Sequence, residues 1–488
     1  MSTESTIHPG ESGSPGRRDE LRSVIAMSVP IVITMCSRMA MDVSDFVMIT
    51  FLGDDAQAAM LPAQVLVWSY IVLGMGIVTI VSTFVSQSLG RDRRADCGAY
   101  AWQAVYLALG FAAIGLALRP FVLPLVGWIG HDPAVQRLEV EYIRVAILTV
   151  APTLAVAALS NFFNGVHRPQ VTMWATIEGI AVNAVASLVL IFGIGGLPRL
   201  GIAGAAWGTL IGNVYQVLRL MLRLCGPAYH REFQTRSSWR PDRGKMLNIL
   251  RTGGPQGVQF VSDVIVWAVF INVLVGTCFG KVHLIATNVV WQYIRISFMP
   301  CLGVGVALTS LVGRALGEGN PERALRLTRI AVTGMVGFMG TCALVFFFGR
   351  RELISLFNDT PAVVTIGSQV LICAAIFQVS DALCVGYNSA LRGAGDTFWP
   401  SMVFIITHWV VVIGGGWLMV YSVPQWGSVG PWIAATALIV LLGMLLWGRW
   451  HGRKWMKINI FCHDGPSTPA SPVPPAVPPV MEGETAAV

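Results

Sequence analysis

Long apolar runs separated by short polar segments make up almost the whole chain. Most runs reach the roughly 20 residues that a helix needs to cross the apolar core of a bilayer. They are continuously apolar, so they do not fit the alternating strands of a membrane β-barrel. The pattern predicts an all-α integral membrane protein with twelve spanning helices, at residues 24–51, 60–88, 99–119, 140–163, 171–193, 201–222, 250–275, 284–312, 327–348, 363–390, 398–420 and 429–448.

Polar segments divide and flank this apolar material. Residues 223–245 are polar and basic, which predicts a cytoplasmic linker between two six-helix lobes at 21–222 and 246–450. Residues 1–20 are polar, and residues 451–488 are basic and then rich in Pro, Ser and Ala. Such compositions cannot bury a core, so both ends are predicted to be disordered tails. The first 20 residues also lack the short apolar core of a removable signal peptide.

The two halves repeat the same landmarks at offsets of 225, 227, 228 and 226 residues. The matched landmarks are Pro30 with Pro255, Leu89-Gly90 with Leu316-Gly317, Gly165 with Gly393, and the segment 197–204 with 423–430. Coincidence among common Gly and Pro residues is the alternative to an internal duplication. With six helices in each half, both repeats start on the same side of the membrane. The halves are then parallel, pseudo-symmetric repeats with a cleft between them.

Basic residues lie mainly in the loops of one side. That side carries Arg91, Arg93, Arg94, His167, Arg168, the stretch 219–245, the stretch 314–329, Arg392, Arg449, Arg453, Lys454 and Lys457. The other side carries Asp54, Asp55, His131, Asp132, Arg199, Lys281 and the local exception Arg350-Arg351. By the positive-inside rule this side faces the cytoplasm, so both termini are predicted to be cytoplasmic. The protein is then expected in the inner (plasma) membrane of the cell. Topology also explains the net charge of +7 without a nucleic-acid partner.

Acidic side chains inside two helices of the second half are candidates for the transport site. A charge at the bilayer centre costs roughly 2.5–3.5 kcal/mol on insertion scales, so each one suggests a function. Asp263 follows Gln259 by one turn, and Asp381 shares a helix face with Gln378 and Asn388. A lone carboxyl in a wet cavity can take up a proton, or coordinate Na⁺ together with amide oxygens. A purely structural role is the alternative for both acids.

The first half offers a second set of candidates. Arg38, Asp42 and Asp45 stand on one face of the first helix, where Arg38 can pair with Asp42 and leave Asp45 to titrate. A structural network, or a position of Asp45 near the outer interface, is the alternative. Asn183 and Ser187 share a face of the fifth helix, where helix packing explains them equally well.

Several kinds of chemistry find no support in the sequence. Nine cysteines are scattered without CxxC or metal-ligand spacing, and no GxxxxGK[ST] motif supports an ATP-driven pump. His408, Gln292 and Arg295 lie in apolar helices and are assigned to contacts with neighbouring helices. No convergent His, Asp or metal cluster indicates a membrane-bound acyl or glycosyl transferase. We therefore expect neither an enzyme nor a cofactor.

Four motifs in the second half resemble signatures of the multidrug and toxin extrusion (MATE) family, and the likeness extends over residues 21–450. They are Pro255-Gln-Gly-Val-Gln-Phe-Val-Ser-Asp263, Leu311-Val-Gly-Arg-Ala-Leu-Gly317, Asp381-Ala-Leu and Leu391-Arg-Gly-Ala-Gly-Asp-Thr397. The resemblance implies a monomeric twelve-helix transporter that exports cationic, amphipathic drugs across the lipid bilayer in exchange for H⁺ or Na⁺.

Residue by residue, the resemblance implies a NorM-like arrangement of acids. Asp45, Asp263 and Asp381 match the family's acids in the first, seventh and tenth helices. Phe377 stands where some members have a tyrosine, and Thr50 replaces a usual glycine. In one branch of the family, an aspartate stands four residues after the asparagine that matches Asn183. Here that position is Ser187, so the resemblance shifts the expected ion site towards the second half.

The sequence thus predicts a secondary active multidrug efflux transporter, coupled to H⁺ or Na⁺. A lipid-linked precursor flippase of the same superfamily is the main alternative, although such proteins usually carry a more cationic cavity. A membrane enzyme and a channel are further alternatives. The flux through a channel would neither saturate nor require exchange against a gradient.

Overall fold

The computed structural model describes residues 17–50, 54–118, 120–121, 133–196 and 199–461. Within these ranges every regular element is a helix. The helices are α1 Arg17–Thr50, α2 Asp54–Thr79, α3 Val81–Gly90, α4 Arg94–Ala117, α5 Pro133–Ala146, α6 Val150–Gly165, α7 Pro169–Phe192, α8 Gly201–Leu224, α9 Pro227–Phe233, α10 Arg243–Val269, α11 Lys281–Gly317, α12 Pro321–Phe348, α13 Arg350–Ser355, α14 Pro361–Ala394, α15 Phe398–Thr407, α16 Gly415–Ser422 and α17 Val429–His451.

Several of these helices join to form single crossings of the membrane. The pairs α2 with α3 and α5 with α6 each form one crossing, as do α15 and α16 together with the π-helical segment His408–Gly414 between them. A second π-helical segment, Phe270–Thr277, extends α10. Eleven described helices are long and apolar enough to span a bilayer. With α8, the twelve predicted crossings are present and the all-α membrane fold is confirmed.

The structure extends several helices beyond the predicted spans at one end of the bundle. α10 begins where Asp242 accepts hydrogen bonds from the backbone of Gly244 and Lys245, at 2.9 and 3.2 Å. Asn320 caps α12 in the same way, through Arg323 N at 2.9 Å. Such caps satisfy backbone N–H groups at the helix start, so the helix can begin in the polar segment before the apolar run.

Both predicted tails are shorter than expected. α1 starts at Arg17, and buried Glu20 forms an ion pair with Arg326 of α12 at 2.9 Å. At the other end the chain stays packed through Phe461. The prediction of a tail from residue 451 is therefore wrong for residues 451–461, and residues 462–488 lie outside the described part. We call the end of the bundle that carries Glu20, Arg326 and Phe461 the terminal face.

The helices form two halves that pack against each other. The first half comprises α1–α8 and the second comprises α10–α17, and the two pack through α1 with α11, α2 with α10, and α3 with α11. Glycines allow the close approach, since a Cβ added to Gly76 would lie 2.5 Å from the Cα of Gly257. At the same level a Cβ on Gly303 would lie 2.8 Å from the Val32 side chain.

Candidate functional site

Asp263 lies on α10, two turns before the π-helical segment of that helix, and faces Gln259 one turn away. Gln259 Oε1 accepts a hydrogen bond from Ser401 Oγ of α15 at 3.0 Å. Trp409 Nε1 donates to Ser262 Oγ at 3.1 Å. The polar stripe predicted on this helix is thus tied by hydrogen bonds to the next-to-last crossing of the chain, while the Asp263 side chain is 25% exposed.

His408 is the titratable neighbour of Asp263 in the described part of the chain, with its Nε2 3.8 Å from Asp263 Oδ1. The imidazole is oriented by the carbonyl oxygen of Phe404, 2.8 Å from Nδ1. A carbonyl only accepts, so Nδ1 carries the hydrogen and Nε2 is free to accept one in the neutral ring. Asp263 Oδ1 has no hydrogen-bond partner among the described residues. The gap between the two atoms therefore suits a shared proton or a small ligand.

The sequence did not assign this role to His408, which was expected to be satisfied by its neighbours. The Phe404 contact bears out that expectation for one ring nitrogen only. His408 also begins one π-helical segment, and that segment packs against both α10 and the segment Phe270–Thr277. Inserted π turns are frequent at functional sites because they re-aim side chains within a helix.

Asp381 lies on α14 in the interior of the second half and forms no ion pair with any described residue. The Cys384 thiol, one turn further on, lies within electrostatic range of both Asp381 and Asp263. Gln378 Nε2 donates to Ser297 Oγ at 2.7 Å, and its Oε1 has no partner in the described part. The structure therefore brings the two predicted acids of the second half within electrostatic range of the same thiol, and neither acid has a Lys or Arg partner in the described part.

The other predicted site residues lie in different environments. Phe377 is 2% exposed within the apolar core of the second half, and Asn388 is half-buried on α14. Asn183 packs against α8, where its Nδ2 donates to Thr209 Oγ1 at 3.4 Å. The side chains of Asp42 and Asp45 lie outside the described residues, although the backbone of α1 runs through both.

In the described part of the chain, no group of three or more His, Cys, Asp and Glu side chains could hold a metal ion. The neighbours of the two acids supply amide and hydroxyl oxygens instead. Hard oxygen donors suit a proton or Na⁺, which here would be a transported ion and not a resident cofactor.

A second polar cluster joins the halves at the terminal face. Thr83 Oγ1 donates to the carbonyl oxygen of Arg392 at 3.0 Å, and Gln87 Nε2 donates to that of Gly393 at 3.0 Å. His167 Nε2 lies 3.3 Å from the carbonyl oxygen of Ser310. Each bond joins a loop or helix of one half to the other half, so the two halves are closed against each other on this face. The sequence analysis did not identify these contacts as a group.

Comparisons with known proteins agree with this architecture. The MatE family model matches the chain twice, at residues 30–189 and 262–418, once in each half. A "Probable multidrug resistance protein NorM" from Rhodopseudomonas palustris is 30% identical, over 89% of this chain and 92% of that protein. A protein of the same description from Bradyrhizobium diazoefficiens is 28% identical, over 89% and 95%.

Solved structures show the same fold. The "outward-facing conformation of a multidrug resistance MATE family transporter of the MOP superfamily" has a TM-score of 0.82 and 21% sequence identity, and covers 92% of this chain and all of that one. The family model matches each of the two repeated halves described above, and the curated relatives extend over both. The chain therefore belongs to the MatE family, and it is a membrane transporter of the NorM-like branch.

Proposed function

We propose that this transporter exports cationic, amphipathic drugs across the inner membrane by antiport with H⁺ or Na⁺, with both termini in the cytoplasm. The observation that supports it most is the polar region around Asp263 and Asp381, two acids with no Lys or Arg partner in the described part. An unpaired carboxylate in a low-dielectric interior is costly, so it favours binding of a proton or a small cation. The same negative charge, once that cation has left, attracts a cationic drug.

Coupling then follows from competition for the same carboxyls. On the outer side the coupling cation occupies them, and the drug is released. On the inner side the cation dissociates, and the drug binds. The two halves rock about their contacts near Gly76 and Gly257, so that the cleft opens to one side at a time. Asp45 remains part of this proposal through the family resemblance alone.

The test is efflux of a fluorescent organic cation from proteoliposomes under separately imposed proton and sodium gradients. We expect Asp263→Asn and Asp381→Asn to abolish gradient-driven efflux while leaving membrane insertion largely intact. An amide keeps the size of the carboxyl but can neither release a proton nor hold a cation by charge. The gradient that drives the wild type identifies the coupling ion.

The matched control is Asp359→Asn, the same change at an exposed position of the second half. It should transport at the wild-type rate. Wild-type efflux by both Asp263→Asn and Asp381→Asn would reject the assignment of the site. Transport of a lipid-linked substrate without organic cation efflux would favour the flippase alternative.

A further inference from the structure

The last described residues of the chain cross from the second half to the first. After α17, a short 3₁₀ turn at Lys454–Lys457 places Trp455 on Trp450, with ring centroids 4.2 Å apart and nearly parallel. Trp455 Nε1 also donates to the carbonyl oxygen of Trp450 at 2.8 Å. Both indoles belong to the apolar core of the second half, so the chain is anchored there up to this point.

Phe461, six residues later, is packed into the first half. Its ring centroid lies 5.6 Å from that of Phe84 and 6.2 Å from that of Tyr100, edge-on to both. The Arg91 guanidinium covers the ring at 4.2 Å, which adds a cation–π contact. These three side chains form a pocket on the first half, and Phe461 is part of its apolar core. We call residues 458–461 the strap.

The strap also lies beside the contacts that close the terminal face. A Cβ added to Gly395 would lie 2.2 Å from Ile460 Cγ2, so Ile460 packs directly on the loop that follows α14. Two residues earlier, in the last turn of α14, the carbonyl oxygen of Gly393 accepts the hydrogen bond from Gln87 of the first half. Ile460 is itself almost fully buried. The strap therefore touches both sides of the closed contact.

The corresponding segment of the first half does not cross. At the repeat offset, the strap and the turn before it match α9 and the residues that follow it. There Tyr229 packs on Phe163 with ring centroids 5.3 Å apart, and Phe233 packs on Phe162 at 5.9 Å. All four side chains belong to the apolar core that also contains Phe84 and Tyr100 of the first half. The crossing is therefore a departure from the pseudo-symmetry of the fold and needs its own explanation.

We propose that the strap is a latch that holds the cleft closed at the terminal face. This inference rests on the rocking motion proposed above, because opening that face separates the anchor at Trp450 from the pocket at Phe84. Either Phe461 must then leave its pocket, or the five residues between Trp455 and Phe461 must stretch. Withdrawal exposes the aromatic surfaces of Phe461, Phe84 and Tyr100, which opposes opening and favours the conformation seen here.

The experiment measures the distance between spin labels at Arg93 and Glu322, exposed positions on opposite halves of the terminal face. Double electron–electron resonance gives the populations of closed and open conformations in lipid nanodiscs. We expect Phe461→Ala to raise the open-to-closed ratio about tenfold, because truncation removes most of the contact that opposes opening. Phe461→Leu is a milder change and serves if the alanine variant does not fold. It should raise the open-to-closed ratio by less.

The matched control is Ile458→Ala, an exposed position of the same strap outside the pocket, which should keep the wild-type ratio. A structural role alone would lower the melting temperature of both Phe461 variants and leave the distance distribution unchanged, and that result overturns the proposal. The rocking motion has its own criterion. If the distance in the wild type does not change between proton-loaded, sodium-loaded and drug-loaded samples, the proposed transport motion fails independently of the strap.

Discussion

His167 combines an unusual backbone with an unusual environment. Its φ of 61° lies in the left-handed region, where residues other than glycine are uncommon. At the matching position of the second half stands Gly395, with φ 85°. The fold thus needs a left-handed residue in both repeats, and the first half uses one that carries a side chain. That side chain reaches Ser310 and Arg314 of α11 and joins the two halves.

The protonation state of His167 should control this contact. Burial, and then the neighbouring Arg314, lower the pKa of His167 to about 4. Arg323 has a smaller effect in the same direction, while the contact with the Ser310 carbonyl and the charge of Glu318 oppose the shift. The folded protein therefore binds fewer protons than the unfolded chain between pH 6.5 and 4, so this contribution to stability is intact above pH 6.5 and falls as the pH is lowered. The loss can reach about 3 kcal/mol over that window.

Thermal unfolding of the purified protein between pH 7 and 4 measures this effect. We expect His167→Gln to flatten the pH dependence of the melting temperature, because the amide can donate and accept without titrating. His451→Gln, at an exposed histidine of the same face, should leave it unchanged. Equal slopes for the wild type and His167→Gln would show that this histidine does not sense pH.

At the residue scale, the sequence predicted those polar side chains that interrupt an otherwise apolar run. Asp263 and Gln259 lie one turn apart in an otherwise apolar run, and helical spacing alone places them on one face. His408 could not be assigned in the same way, since its approach to Asp263 depends on how two helices from distant parts of the sequence pack. Thr83 and Gln87 were missed for the same reason, because their partners lie 309 and 306 residues away.

At the scale of elements, α8 shows how close packing can take the place of strong hydropathy. It is a 24-residue helix with glycines at 201, 204, 208 and 212, and buried Asn213 and Gln216 lower its apolar character. Gly204, Gly208 and Gly212 allow α7 to approach closely, since a Cβ on Gly212 would lie 2.7 Å from Asn183 Cβ. Small residues at helix contacts are the usual means of association within a membrane.

Gly208 gives the sharpest test of this packing. A Cβ at that position would lie 2.0 Å from Ser187 Oγ and 2.8 Å from the Ser187 Cα. Gly208→Ala should therefore destabilise the protein by roughly 1–3 kcal/mol, seen as a lower melting temperature in detergent. Gly110→Ala on α4 meets open space and should be neutral or slightly stabilising. A Gly208 variant as stable as the Gly110 variant would mean that α7 and α8 are not in tight contact.

The apolar pattern predicted the presence and order of the twelve crossings, but not the irregularities within them. The segments Phe270–Thr277 and His408–Gly414 are as apolar as regular helix and carry no local signal of an extra residue per turn. The run Gly414-Gly415-Gly416 is one feature that weakens a regular helix nearby. Helix ends were predicted too short at the terminal face, because hydropathy marks the bilayer core and caps mark the true start.

At the scale of the whole molecule, the repeat detected in the sequence corresponds to two matches of the same family model. The proposed transport site breaks this symmetry. At the repeat offsets of 225 and 228 residues, Asp263 and Asp381 of the second half match Arg38 and Thr153 of the first half, neither of which is an acid. The strap departs from the symmetry as well. The two halves share one fold but differ at the positions to which we assign ion binding and closure. A sequence repeat alone cannot indicate such differences.

Locking the halves together tests the proposed motion directly. A Cβ on Gly313 would lie 3.3 Å from Ser86 Cβ, close to the spacing of a disulfide. In a background without native cysteines, we expect oxidised Ser86→Cys/Gly313→Cys to lose transport in proteoliposomes and to recover it on reduction. Each single variant provides the control, since it carries the same change without a crosslink. Full transport by a completely crosslinked protein would contradict the rocking mechanism, because the terminal face would then never need to open.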